Sequence, residues 1–152
     1  MESKPFDIVN EIVQQLDCGF RVFVHKKTEK LVCFPDRENE IYIEGNEWDE
    51  EMKEIEEHSD DYHEIEKCSS NKSFRFMEDF AQEEVKDPTM QNLLLQALNN
   101  NKPFRRFRDL IDYSGEYREQ WFAYKLKRES EYVEEQLAWF KEMDNQEETD
   151  HG

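Results

Sequence analysis

The chain has 152 residues, enough for one domain with a core of its own and no need of disulfides or metals. With 38 acids against 20 bases its formal net charge is -18, a field that repels free nucleic acid as a whole. Hydrophobic residues make up only 36%, but 11 Phe, 6 Tyr and 3 Trp supply large buried areas, which argues against disorder throughout.

Other classes fall away on local pattern. The longest aliphatic run is Leu93-Leu94-Leu95, far short of a membrane span. Met1 to Pro5 has no basic segment leading into an apolar one, so no secretion signal is expected. Cys18, Cys33 and Cys68 are odd in number and far apart, which fits reduced thiols and a cytoplasmic location.

In chain order, Phe6, Val9, Ile12, Val13 and Leu16 recur at helical spacing, predicting an amphipathic helix over 5–17 that stops at Gly19. Phe20 to Val24 and Leu31 to Phe34 are β-branched and aromatic, and a short polar segment joins them, predicting a hairpin. Ile41 to Ile43 suggests a brief third strand. Residues 47–58 carry Trp48, Met52 and Ile55 on one helical face. Tyr62 to Lys67 alternates around Ile65 as an edge strand would.

From Ser69 onward the pattern is helical. Phe74, Met77, Phe80, Ala81 and Val85 share one face. Asp87-Pro88 and Pro103 each open a further helix, because aspartate caps free amides and proline at the first position loses no hydrogen bond. Ser114-Gly115 breaks the chain before a last helix from about Glu116 to Met143, with an apolar stripe of Phe122, Leu126, Val133, Leu137 and Phe140. Phe104, Phe107, Phe122, Leu126 and Leu137 are the expected core. The expected fold is α+β: a short antiparallel sheet built on the N-terminal hairpin, packed on a C-terminal helical bundle. It forms one domain over 1–143, with an acidic segment at 36–66, helices over 70–143 and a flexible acidic tail at 144–152.

The C-terminal half resembles an uncharacterised bacterial protein family, the one numbered 0158. The likeness rests on Glu64-Ile65-Glu66, the run Ser73 to Phe80, Gln96-Ala97-Leu98, the run Lys102 to Arg108, and Tyr117 to Phe122. It covers residues 62–140. The run Asn99 to Asn101 and the long acidic stretch 36–61 depart from the family pattern. The resemblance implies a compact cytoplasmic bacterial protein and supplies no activity.

Charge alternates along the chain. Residues 36–66 hold 15 acids and 2 bases, 102–128 hold 8 bases and 4 acids, and 129–150 hold 9 acids and 1 base. The basic segment carries the most distinctive unit, Phe104 to Arg108, where Phe104 and Phe107 share a face with Ile111 and the arginines lie off it. Tyr117, Trp121 and Tyr124 form a second aromatic row on the last helix. Arg105, Arg106, Arg108, Tyr117, Trp121, Tyr124, Lys125 and Arg128 therefore make up the candidate binding surface, since tyrosine, tryptophan and arginine dominate contact energetics. The bland alternative is that the aromatics are core and that the arginines neutralise acids such as Glu78, Asp79 or Glu119.

Catalytic patterns are absent. Four glycines allow no phosphate-cradling loop, and no serine lies in a glycine-flanked elbow. His58, His63 and Cys68 are spaced unlike zinc ligands, so neither metal nor cofactor is expected. The sequence favours a non-enzymatic binding or regulatory module acting through contacts with another protein. The alternatives are a nucleic-acid-associated module using helix 103–111 and an enzyme of unknown type.

Overall fold

The structure is a computed structural model that describes residues 5–36 and 47–150, with side chains from 8 to 36 and 47 to 146. The strand suggested at Ile41 to Ile43 lies outside the described residues. Backbone contacts divide the chain into two compact units: residues 1–67 with 130–152, and residues 68–129.

The first unit is the mixed one. Helix α1 (Pro5–Asp17) ends at Gly19, whose φ of 85° lies in the left-handed region that glycine enters without strain. Strands β1 (Phe20–His25) and β2 (Leu31–Pro35) form the antiparallel hairpin, with Val22 opposite Cys33 and Val24 opposite Leu31. Helix α2 (Asp49–His58) and a short 3-10 turn lead to β3 (Tyr62–Ile65), which pairs antiparallel with the other side of β1. The sheet order is β2-β1-β3, so β3 is the edge strand that the alternation around Ile65 suggested.

Alternation along β1 sends side chains to two cores, because successive residues point to opposite faces of a sheet. Val22 and Val24 join Val9, Ile12 and Val13 of α1 and Ile65 of β3. Phe23 joins Val32, Phe34 and Tyr62, with Trp48, Met52 and Ile55 of α2 packed against them. A hairpin that is apolar on both faces requires cover on both, and α1 and α2 provide it. Val133, Leu137 and Phe140 complete the first core.

The second unit is all helical. Helices α3 (Ser70–Glu83), α4 (Pro88–Leu98) and α5 (Pro103–Asp112) start where serine and proline signals place them. The side chains of Ser69 and Asp87 accept from the amides of Lys72 and Thr89, satisfying donors that a helix start leaves free. Helix α6 (Glu116–Asp150) contributes its first part to this unit and the remainder to the other, and it continues seven residues beyond Met143. Phe76, Phe80, Leu94, Leu98, Phe107, Ile111 and Trp121 fill the interior of this unit.

The expected core needs one correction. Phe107 is fully buried and Leu137 packs on the first unit's core, but Phe122 and Leu126 are 48% and 42% exposed. Within the helical unit, α6 turns Tyr117, Trp121 and Tyr124 inward instead. Both rows have helical spacing, so periodicity cannot choose between them. The row with two tyrosines and a tryptophan buries more area and wins. The architecture is α+β and mostly helical, with an N-terminal hairpin and C-terminal helices.

Candidate binding surface and the family

The structure separates the eight candidate side chains into three settings. Trp121 is only 6% exposed and meets Phe80 and Phe107 edge-on, at centroid distances of 5.3 and 5.1 Å. Tyr124 is half-buried and tilted against Phe80. The Tyr117 hydroxyl accepts from the Asp87 amide at 3.4 Å, so this aromatic also belongs to the interior of the unit. The aromatic row is therefore structural, and the binding surface loses its three rings.

Arg128 and Lys125 are held by acids. Arg128 donates to Asp79 at 3.0 Å and to the Tyr124 hydroxyl, and its guanidinium lies 4.6 Å from the centre of the Phe76 ring. Burial opposes its charge, yet the bonds to Asp79 and Tyr124 outweigh that and hold its pKa above the ordinary value. Burial raises the Tyr124 pKa; Arg128 pulls it back only in part. Lys125 pairs with Glu129 at 3.3 Å, one helical turn away. Asp79 thus pairs with Arg128 of α6 and not with the arginines of the run Phe104 to Arg108, for which that pairing was expected.

The α5 arginines differ. Arg106 donates to the Asn101 carbonyl at 2.7 Å and to its side-chain oxygen at 2.9 Å, tying down the loop before α5. Arg105 and Arg108 are exposed and have no carboxylate partner among the described residues. They do not form an acid-free face. Asp109 and Asp112 follow them at four-residue spacing on the same exposed side of α5.

Sequence reasoning missed the surface that α6 leaves open. Phe122 and Leu126 stand one turn apart on its outer side, and the Arg118 guanidinium sits 5.0 Å from the centre of the Phe122 ring. Arg118 is oriented by Asp112 at 3.5 Å. Tyr113, at the end of α5, is 92% exposed. The signal was in the sequence: a helix with two apolar rows buries one and presents the other.

In the first unit, the His63 side chain is largely buried and held by its neighbours. Its Nε2 meets the Asp144 carboxylate at 3.1 and 3.2 Å, and its ring stacks on Phe140 at 4.1 Å. A carboxylate only accepts, so the proton on that nitrogen belongs to the histidine. Among the described residues no three His, Cys, Asp or Glu side chains converge as metal ligands. Among them, too, no helix is long and apolar enough to cross a membrane.

No curated protein and no solved structure matches the chain. The family model described as "Uncharacterised protein family (UPF0158)" matches residues 6–149, well beyond the C-terminal half that carried the resemblance. With nearly its whole length matched, the chain belongs to that uncharacterised family.

Proposed function

We propose that the protein is a non-enzymatic cytoplasmic binding module that acts through contacts with another protein, centred on Phe122 and Leu126 of α6. The observation that carries this reading is their exposure, 48% and 42%, beside a guanidinium already seated on the Phe122 ring. An aromatic residue and an arginine presented together from a rigid helix are the groups that contribute most to protein interfaces. The pair needs no rearrangement to be reached.

Affinity capture of the tagged chain from cells of its source organism tests the reading, run with and without nuclease. The Phe122→Asp, Leu126→Asp double variant is the control. The same partner protein is expected from both preparations and not from the variant, whose melt stays at the wild-type temperature. Capture that nuclease abolishes, or that the double variant retains, rules the reading out.

A second reading, a nucleic-acid-associated module on α5, draws support from Arg105 and Arg108, which have no carboxylate partner among the described residues. Asp109 and Asp112 on the same side weigh against it, because phosphate binding needs several free cations on one face. Duplex DNA and single-stranded RNA are expected to bind no more tightly than non-specific contacts do, about 10⁻⁴ to 10⁻⁶ M. Tighter binding that falls steeply with salt and vanishes in an Arg105→Glu, Arg108→Glu variant would put this reading first.

A further inference from the structure

Strand β3 ends the sheet, so its outer side has no strand beside it among the described residues. Its backbone groups alternate between the two sides. The Lys26 amide donates to the Asp61 carbonyl at 2.9 Å, and the pairing register carries that side of the ladder on through His63 and Ile65, opposite Val24 and Val22. Tyr62, Glu64 and Glu66 therefore turn their backbone groups outward. Glu66 shows the direction, because its N–H and carbonyl both meet the Gln136 side chain, at 2.8 and 2.9 Å. The Tyr62 N–H turns back to the Ser59 carbonyl. The N–H and carbonyl of Glu64 and the carbonyl of Tyr62 have no partner among the described residues.

Helix α6 runs beside this edge. Trp139 and Met143 follow Gln136 by three and seven residues, so they lie on the same side of the helix. Trp139 is 57% exposed. Glu135 and Glu142 stand one turn to either side of it, exposed and with no basic partner among the described residues. On β3 the side chains of Glu64 and Glu66 alternate to one face. Glu64 binds Arg21 through both oxygens at 3.0 Å, yet its side chain stays 42% exposed and has further lone pairs to offer.

We propose that the outer edge of β3 takes an extended cationic segment of another protein as a fourth strand, paired with Glu64 and Tyr62 and resting an aliphatic side chain on Trp139. Main-chain hydrogen bonds to an open sheet edge hold such a segment, and alternate side chains select it. Charge selects a cationic one, since the unit's sequence carries 28 acids and 9 bases. An acidic strand, or β3 of a second copy, would set carboxylates against Glu64 and Glu66, and like charges across neighbouring strands repel. Gln136 fills the place opposite Glu66, so the added strand ends there. This edge lies in the first unit and does not involve Phe122 or Leu126.

The probe is acetyl-Arg-Val-Lys-Val-Arg-amide, titrated at low salt into the isotope-labelled full chain and followed by amide NMR. The Glu64 amide is expected to shift and saturate with a dissociation constant of about 0.1 to 1 mM, and to exchange about tenfold more slowly near saturation. Val22 and Val24, already bonded within the sheet, keep their exchange rates. The same peptide N-methylated at its three central residues keeps the charge and loses the donors, and is expected not to saturate. Acetyl-Glu-Val-Glu-Val-Glu-amide is expected not to bind. Trp139→Ala is expected to weaken the cationic peptide about fivefold while the melt stays put. Equal binding by the N-methylated peptide reduces the contact to charge attraction and overturns the proposal, as does equal binding by the acidic peptide. An unmoved Glu64 amide at about 10 mM cationic peptide, or full binding to Trp139→Ala, also overturns it. A Glu64 shift that follows protein concentration without peptide assigns the edge to a second copy and overturns it too.

Discussion

Trp121 and Phe122 are sequence neighbours with opposite fates, and the contrast sets what substitution should cost. Phe107 touches Trp121 and is fully buried, so Phe107→Ala is expected to lower stability by about 3 to 5 kcal/mol. Phe122→Ala removes an exposed ring and is expected to stay within about 1 kcal/mol. Chemical denaturation of the two variants checks both, and equal losses would put Phe122 in the core. Two other side chains give the protein an alkaline limit. Burial, with the Glu11 charge adding to it, pushes the Cys33 thiol from 9.0 up to about 11. Burial and the hydrogen bond to Glu54 push the Tyr62 hydroxyl from 10.0 up to about 12. Both groups are held neutral by the fold, so the unfolded chain gives up these protons first. The stability they contribute is complete below pH 9 and is lost as pH rises through 11 and 12. Melting temperatures are therefore expected to fall from pH 9 upward, with a shallower fall above pH 10 in Tyr62→Phe. At pH 8, alkylation should modify exposed Cys18 well before Cys33.

At the scale of elements, starts and edges are set by single side chains. Asp87 accepts from the Thr89 amide at the head of α4, and Asp87→Ala is expected to cost about 1 kcal/mol in a denaturant melt. Ser69 does the same for α3, which is why Ser69 and Asp87-Pro88 were readable as helix starts. The end of β3 is closed by a device that no local pattern announces. The Gln136 amide accepts from the Glu66 N–H at 2.8 Å and donates to the Glu66 carbonyl at 2.9 Å, so α6 supplies what a neighbouring strand would. Tyr132 adds a bond to the Glu66 carboxylate at 3.2 Å. Gln136→Ala is expected to raise hydrogen exchange at the Glu66 amide selectively, without a comparable change at Val22 or Val24 in the middle of the sheet. The hairpin itself was legible because Phe20 to Val24 and Leu31 to Phe34 are rich in β-branched and aromatic residues and a short polar segment joins them.

Across the whole molecule, charge follows the division into units. Residues 68–129 hold 11 bases and 10 acids, whereas the rest of the chain holds 9 bases and 28 acids. Self-repulsion therefore acts almost entirely within the first unit. Raising sodium chloride from low to moderate concentration is expected to slow amide exchange in β1 and β3 more than in α3 and α4, because screening relieves only the unit that repels itself. Equal slowing in both would show that repulsion is not confined this way.

The sequence by itself determined the class of the fold, the hairpin, the starts of α3, α4 and α5, and membership of an uncharacterised family. Those features depend on residues close together in the chain: caps, proline positions, a period of two or of 3.6. It also located the acidic and basic stretches, because charge counts need no geometry. Only the tertiary structure decided which of two apolar rows on α6 is buried. Phe122, Leu126, Val133, Leu137 and Phe140 read as one continuous stripe, yet only Val133 and its successors are used as core. That choice depends on what each unit places against the helix, and here Phe80 and Phe107 lie where Trp121 can meet both. Tertiary structure alone also paired His63 with Asp144, 81 positions along the chain, and stacked its ring on Phe140. Contacts at such separations leave no periodic trace in a single sequence, because they are set by packing and not by the local preferences of the backbone.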